Sequence, residues 1–145
     1  MDLEQIRKQV DLIDAELIRL LNKRMELAVQ TRRFKTDVVD GKREEQILQL
    51  ARSRSQGLIA AAFSEKLFSE IISESRSLQQ AELKLVGFQG EHGAYSEIAA
   101  RVARELWIPI PCADFADVFE SVSQGAIDVG VVPVENSIAG QVAQV

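Results

Sequence analysis

The sequence predicts an all-α N-terminal domain of three helices, assembled as an intertwined homodimer, followed by an incomplete α/β segment of parallel strand–helix–strand units. Three observations lead there. A heptad seam runs from Leu3 to Val38 without glycine or proline, none of which occurs before Gly41. Composition then changes near residue 82, before which only Gly41 and Gly57 break the chain, and after which come six glycines and all three prolines. Beyond that point short apolar runs alternate with amphipathic stretches, the pattern of a parallel sheet covered by helices. The expected domains are therefore 1–82 and 83–145.

The first helix is read from the seam Leu3, Ile6, Val10, Ile13, Leu17, Leu20, Arg24, Leu27, Thr31, Phe34 and Val38, which steps by three and four. It should end near Val39, where Asp40-Gly41 joins a capping residue to a breaker. Asp40 then caps a second helix to about Arg52, with Ile47, Leu48, Leu50 and Ala51 on its buried side. Gly57 marks the next break, and a third helix is expected from Leu58 to Glu82. In the second half, Leu83–Phe88 reads as a strand, Ser96–Leu106 as a helix and Ile108–Ile110 as a short strand. Asp114 caps a helix through Ser123, and Ile127–Val134 reads as a buried strand, apolar except for Asp128 and Gly130. Three strands make a thin sheet, so this half is expected to be incomplete.

The bulk properties narrow the function. A formal charge of −5 argues against nucleic acid as a partner. No stretch has the length of a membrane span, and the start is charged and amphipathic rather than a leader, which makes the cytoplasm the expected location. A single cysteine, Cys112, excludes an internal disulfide, and with His92 as the lone histidine a zinc site is not expected.

A helix over Leu3–Val38 would be about 54 Å long, against about 25 Å for a compact domain of that size, so its seam needs a second chain. Arg24 occupies a seam position, where its desolvation costs several kcal/mol unless an anion meets it, by roughly the scale known for buried charges. On a continuous helix Lys35 would lie about 16 Å from Arg24 and about 20° around the axis. Arg7 would be about 25 Å from Arg24 in the same helix, too far to share a small ligand in cis, but within reach in trans in an antiparallel dimer. The third helix carries Leu67, Ile71, Ser75 and Gln79 at i, i+4 spacing, so its buried face turns from apolar to polar. Arg43 and Glu44 lie in the first turn of the second helix, and Glu44 is poorly placed to complete a capping box, leaving it available to a ligand. Taken singly each has a plainer reading. A seam arginine can set register or snorkel, Arg7 and Lys35 can be solvated flank residues, and Ser75 can bond its own helix carbonyl. Gln79 can sit at a frayed end, and Asp40 is a cap first. The joint pattern points to a polar cavity for a small anion.

These residues resemble the all-helical chorismate mutase family: Arg7 and Arg24 in IRKQVDLIDAELIRLLNKR, Lys35 in RRFK, Asp40, Arg43 and Glu44 in VVDGKREEQIL, and Ser75 and Gln79 in SESRSLQQ. The resemblance implies an intertwined dimer that rearranges chorismate to prephenate without cofactor or metal. It further implies that Arg24 and the partner's Arg7 clamp the two carboxylates, with Ser75 on a carboxylate. Lys35 and Gln79 would donate to the ether oxygen, and Glu44 would accept from the ring hydroxyl beside the backbone of Asp40 and Arg43. GFQGEHGAYSEIAA and VGVVPVENSIAGQV, the latter holding Glu135, Asn136 and Ser137, resemble the opening of prephenate dehydratase. The later Thr-Arg-Phe motif, second lobe and regulatory domain of that family have no counterpart in these residues, so dehydratase activity is not expected of them. Two other readings are an isochorismate pyruvate lyase on the same helices and a non-catalytic helical dimerisation module.

Overall fold

In a computed structural model the chain forms two compact units, one of Met1–Val29 with Asp37–Leu78, the other of Gln30–Thr36 with Gln79–Val145. Residues 1–136 and 140–141 are described, with side chains through Val134.

The first unit is helical. Helix α1 spans Leu3–Thr31. Asp2 and Gln5 open it with a reciprocal capping box, each side chain accepting from the other's backbone amide at 2.8 and 2.9 Å. Helix α2 spans Gly41–Arg54, and its N-cap Asp40 accepts from the Arg43 amide at 3.0 Å. Helix α3 spans Ala61–Gln80. Ser55, the C-cap of α2, closes the turn by donating to Ala51 carbonyl at 2.9 Å and meeting the Ser64 hydroxyl at 2.6 Å. Val29, Ala51, Ile71 and Ile72 are buried, whereas the α1 seam residues Leu3, Ile6, Val10, Ile13, Leu17, Leu20 and Leu27 are 46–62% exposed. The apolar stripe that predicted this helix is thus not covered by the chain's own α2 and α3.

Several helix ends differ from expectation, among them the end of the expected Ser96–Leu106 helix, which stops at Ala103. The first helix stops at Thr31 rather than near Val39; a 3-10 turn over Arg32–Phe34 follows, and Lys35 is extended at φ −135° and ψ 152°. Nothing local forbids a longer helix. The Arg33 guanidinium is instead drawn to Asp128 and the Leu83 carbonyl, and Arg32 folds back to the Lys35 carbonyl at 2.7 Å. The helical extrapolation that placed Lys35 about 16 Å from Arg24 therefore fails. The third helix begins at Ala61 and ends at Gln80, shorter at both ends than the expected Leu58–Glu82. Glu82 has left-handed backbone (φ 49°), a conformation typical of the residue that ends a helix.

The second unit holds a parallel sheet of β1 (Leu85–Gln89), β2 (Ile108–Cys112) and β3 (Val129–Val131), ordered β2-β1-β3. Leu85 pairs with Ile108, and Val86 with Val129. Helix α4 (Tyr95–Ala103) links β1 to β2, and α5 (Phe115–Ser123), capped by Asp114 accepting from the Asp117 amide, links β2 to β3. The two crossovers run in opposite directions across the sheet, so right-handed connections put the helices on opposite faces. Accordingly Val86 and Phe88 pack with Ala100 of α4, flanked by Trp107, Val129 and Val131. Val118 of α5 lies against the other face, where Gly87 and Gly130 are paired. The third strand is shorter than the expected Ile127–Val134, since Ile127 precedes it and Pro133 cannot continue a ladder. Glu135–Asn136 (β4) and Gly140–Gln141 (β5) form a small antiparallel pair.

Two carboxylates, Glu97 buried and Asp128 partly buried, make this unit acid-sensitive. Glu97 is 7% exposed. Burial opposes its ionisation, but the Gly93 amide, Arg101 and His92 together hold its carboxyl at about 2. Arg33 holds Asp128 at about 2 against its own burial, with the Leu85 amide and Lys84 adding to the effect. Both folded values lie below the ordinary 4.5 and 3.8. Their contribution is therefore complete above about pH 4.5 and is lost as pH falls toward 2. A urea titration series should show the second unit weakening by no more than about 3 kcal/mol per carboxylate over that interval. A constant midpoint from pH 5 to 2.5 would contradict it.

Candidate functional site

Arg24 sits in the last third of α1, half buried. Its Nη1 donates to Ser75 Oγ on α3 at 2.9 Å, and Ser75 donates onward to its own helix carbonyl at Ile71, 2.8 Å away. Ser75 is buried, at 9% exposure, so the polar end of the α3 stripe does face inward as its spacing predicted. Burial first, and then the nearby Arg43 cation, push the Arg24 guanidinium below its ordinary range. Two neighbouring cations leave positive potential to be met by an anion.

Arg24 and Arg43 open onto a cavity of about 430 Å³, lined further by Ile47, Leu50, Ala51, Arg54, Ile59 and Phe68. A small organic anion fits that chemistry: apolar walls for carbon, arginines for carboxylates. Ser75 and Glu44 are not in the lining, so the cavity extends from Arg24 along α2 toward the α2–α3 turn.

Glu44 is not unengaged as its sequence context suggested. The Arg76 guanidinium grips both carboxylate oxygens, with Nε to Oε1 at 2.8 Å and Nη2 to Oε2. Arg76 is the residue that sequence reasoning missed; it follows Ser75 and reads locally as a solvated flank. A carboxylate oxygen has two lone-pair sites, so Glu44 keeps acceptor capacity for a hydroxyl while paired with Arg76. Asp40 is engaged as the α2 cap, which leaves Arg43 anchored at the first turn. Arg7 lies exposed on the N-terminal half of α1.

Gln79 and Lys35 belong to the second compact unit. Gln79 is buried at 6% exposure and donates from Nε2 to Thr31 Oγ1 at 3.2 Å. Lys35 lies beyond the 3-10 turn, with its carbonyl fixed by Arg32. In the dehydratase-like segment, the backbone of Glu135 and Asn136 forms β4; their side chains and all of Ser137 lie outside the described residues. The loop after β1 is built by Glu97, which accepts from the Gly93 amide at 2.7 Å and from Arg101 at 2.6 Å and meets His92 Nδ1 at 3.1 Å. Gly93 adopts φ 92° there, which a side chain would strain. Among the described residues no group of three or more His, Cys, Asp or Glu could hold a metal ion, and no helix is long and apolar enough to cross a membrane.

Comparison with known proteins agrees with this layout. The family profile for chorismate mutase type II matches residues 6–80, and that for prephenate dehydratase matches residues 86–145. A bifunctional chorismate mutase/prephenate dehydratase of Escherichia coli K12 is 34% identical over 160 aligned positions, covering 97% of this chain and 42% of that protein. The protein of the same name from Aquifex aeolicus is 34% identical over 150 positions, covering 97% of this chain and 41% of its own length. A bifunctional N-acyl-homoserine lactone acylase/prephenate dehydratase of Komagataeibacter europaeus is 39% identical over 62 positions, covering 43% of this chain and 22% of that protein. The chain thus spans about two fifths of the length of the bifunctional mutase relatives it matches. With its helical half matched from Ile6 to Gln80 and its seam arginine set among those helices, the chain belongs to the chorismate mutase type II family.

Proposed function

We propose that this chain catalyses the Claisen rearrangement of chorismate to prephenate, a step toward phenylalanine and tyrosine, as a cytoplasmic homodimer. Residues 1–82 act as the mutase domain, and residues 83–145 as the first part of a prephenate dehydratase domain. The single observation that carries the reading is Arg24, a partly buried cation at a seam position, hydrogen-bonded to Ser75 and set beside a second cation.

The reaction transfers no proton and forms no covalent intermediate. It requires the substrate to be held in a compact chair-like conformer while the C–O bond breaks and charge grows on the ether oxygen. Arg24 and the partner's Arg7 hold the carboxylates, and Ser75 supports one of them. Lys35 and Gln79 donate to the ether oxygen, and Glu44 accepts from the ring hydroxyl. Asp40 and Arg43 shape the backbone beside it. A rate gain of about 10⁶ corresponds to about 8 kcal/mol, a scale that electrostatic support and restriction of conformers supply together. The exposed α1 seam supports the dimer: a second copy would cover that stripe and carry its Arg7 to a site that its own chain cannot reach.

The test is chorismate consumption with prephenate as product, followed across pH. Gln79 is neutral at any working pH, so kcat/KM is expected to stay flat from pH 5 to 8. A steep fall in that window would refute the donor assignment. These 145 residues by themselves should accumulate prephenate, and phenylpyruvate in the product would overturn that expectation.

A further inference from the structure

We propose that Asp128, at the entry to β3 of the α/β segment, is a positioning residue for the mutase reaction, acting through Arg33 on the turn that carries Lys35. The inference rests on the reading of Lys35 as a donor to the ether oxygen.

The geometry begins with Asp128, the one carboxylate in an otherwise apolar run. Its Oδ2 accepts from the Leu85 amide at 2.8 Å, while its own amide donates to the Leu85 carbonyl at 3.1 Å. Asp128 is thereby pinned to the first residue of β1 from both sides, at the centre of the sheet. The same carboxylate receives the Arg33 fork, Nη1 to Oδ1 at 3.0 Å and Nη2 to Oδ2 at 2.7 Å. Arg33 Nη2 also donates to the Leu83 carbonyl at 2.9 Å. Side-chain exposures of 26% and 16% place the pair where water screens it only partly.

What this fork holds is the middle of the Arg32–Phe34 turn. One residue earlier, Arg32 fixes the Lys35 carbonyl at 2.7 Å. One residue before that, Thr31 accepts from Gln79. Lys35 and Gln79 are the two residues assigned to the ether oxygen, and both fall in the compact unit that contains the sheet. The sheet is thus the rigid body to which the Lys35 turn is tied. A lysine on an untied turn samples many positions, and a donor needed mainly in the transition state loses kcat rather than substrate affinity when misplaced.

Four variants of the full 145-residue chain test this: Asp128→Asn, Arg33→Ala, Arg33→Lys and Lys35→Ala, with kcat and KM for chorismate and a thermal midpoint for each. Arg33→Ala and Asp128→Asn should each lower kcat about 10- to 30-fold with KM changed less than twofold, and Arg33→Lys should recover part of that loss. Arg33→Ala leaves the Asp128–Leu85 bonds in place, so it reports on the turn even if Asp128→Asn loosens the sheet. The deciding measurement is Arg33→Ala added to Lys35→Ala. If Arg33 acts through Lys35, it should lower kcat no further in that background; a second drop of the same size would mean a general structural role and overturn the proposal. Should Lys35→Ala itself retain full kcat, the assignment of Lys35 to the reaction fails instead. Should Lys35→Ala lose activity while Arg33→Ala and Asp128→Asn do not, the assignment stands and the proposal falls.

Discussion

Replacing Arg24 with alanine should lower kcat/KM for chorismate by about 10³-fold, or about 4 kcal/mol, the scale of losing one desolvated charge partner from a bound anion. The fold should survive the change. Arg24 is a partly buried cation beside Arg43, hydrogen-bonded to the neutral Ser75 hydroxyl. Its removal relieves repulsion and desolvation while deleting one hydrogen bond. The thermal midpoint should therefore stay level or rise, and any dimer should persist. Steady-state kinetics with a melting curve on the same preparation checks both parts. An Arg24→Ala chain with unaltered mutase activity would leave the seam arginine as a register device and favour the non-catalytic helical module. Loss of activity together with loss of folding would show Arg24 to be structural.

Gly87→Val should disable the second unit. A Cβ built on Gly87 runs into Ile127 Cδ1 and lies 3.3 Å from Cys112 Sγ, both buried, so even alanine forces the Ile127 side chain to shift. Overpacking of this kind costs about 1–3 kcal/mol for small additions, and valine adds two further methyl groups at the centre of a three-stranded sheet. Hydrogen exchange should show β1 amides losing protection while α2 and most of α3 keep theirs. If the turn at Arg33 is tied to this sheet as proposed, mutase kcat should fall with it. Equal protection of β1 in Gly87→Val and wild type would show that the sheet accommodates the side chain. Its register partner Gly130 meets Val118 on the same face, which explains why two glycines lie side by side where α5 approaches.

Much of this was legible in the residues because it depends on local physics. The cap at Asp40, the cap at Asp114 and the alternation of strand and helix after residue 82 follow from short-range hydrogen bonding and periodicity. So does the inward turn of Ser75 and Gln79, since i, i+4 spacing on a helix fixes a shared face. The end of α1 was not legible. Seam and propensity both carry the helix past Thr31, and what stops it is an ion pair to a residue 95 positions later. A signal for that pair did exist: Asp128 stands in an otherwise apolar run, and a carboxylate taken partly out of water favours a charged partner. Arg76 left no such trace, because its role depends on α2 and α3 setting it against Glu44.

By itself the sequence determined which residues face inward, where helices are capped and which cation cannot remain unmatched, because each of these follows from spacing and from the cost of burying charge. Only the tertiary structure decided which partner each charge takes: Arg76 for Glu44, Asp128 for Arg33, Ser75 for Arg24. An ion pair gains its energy from distance and burial in space, and separation along a chain specifies neither.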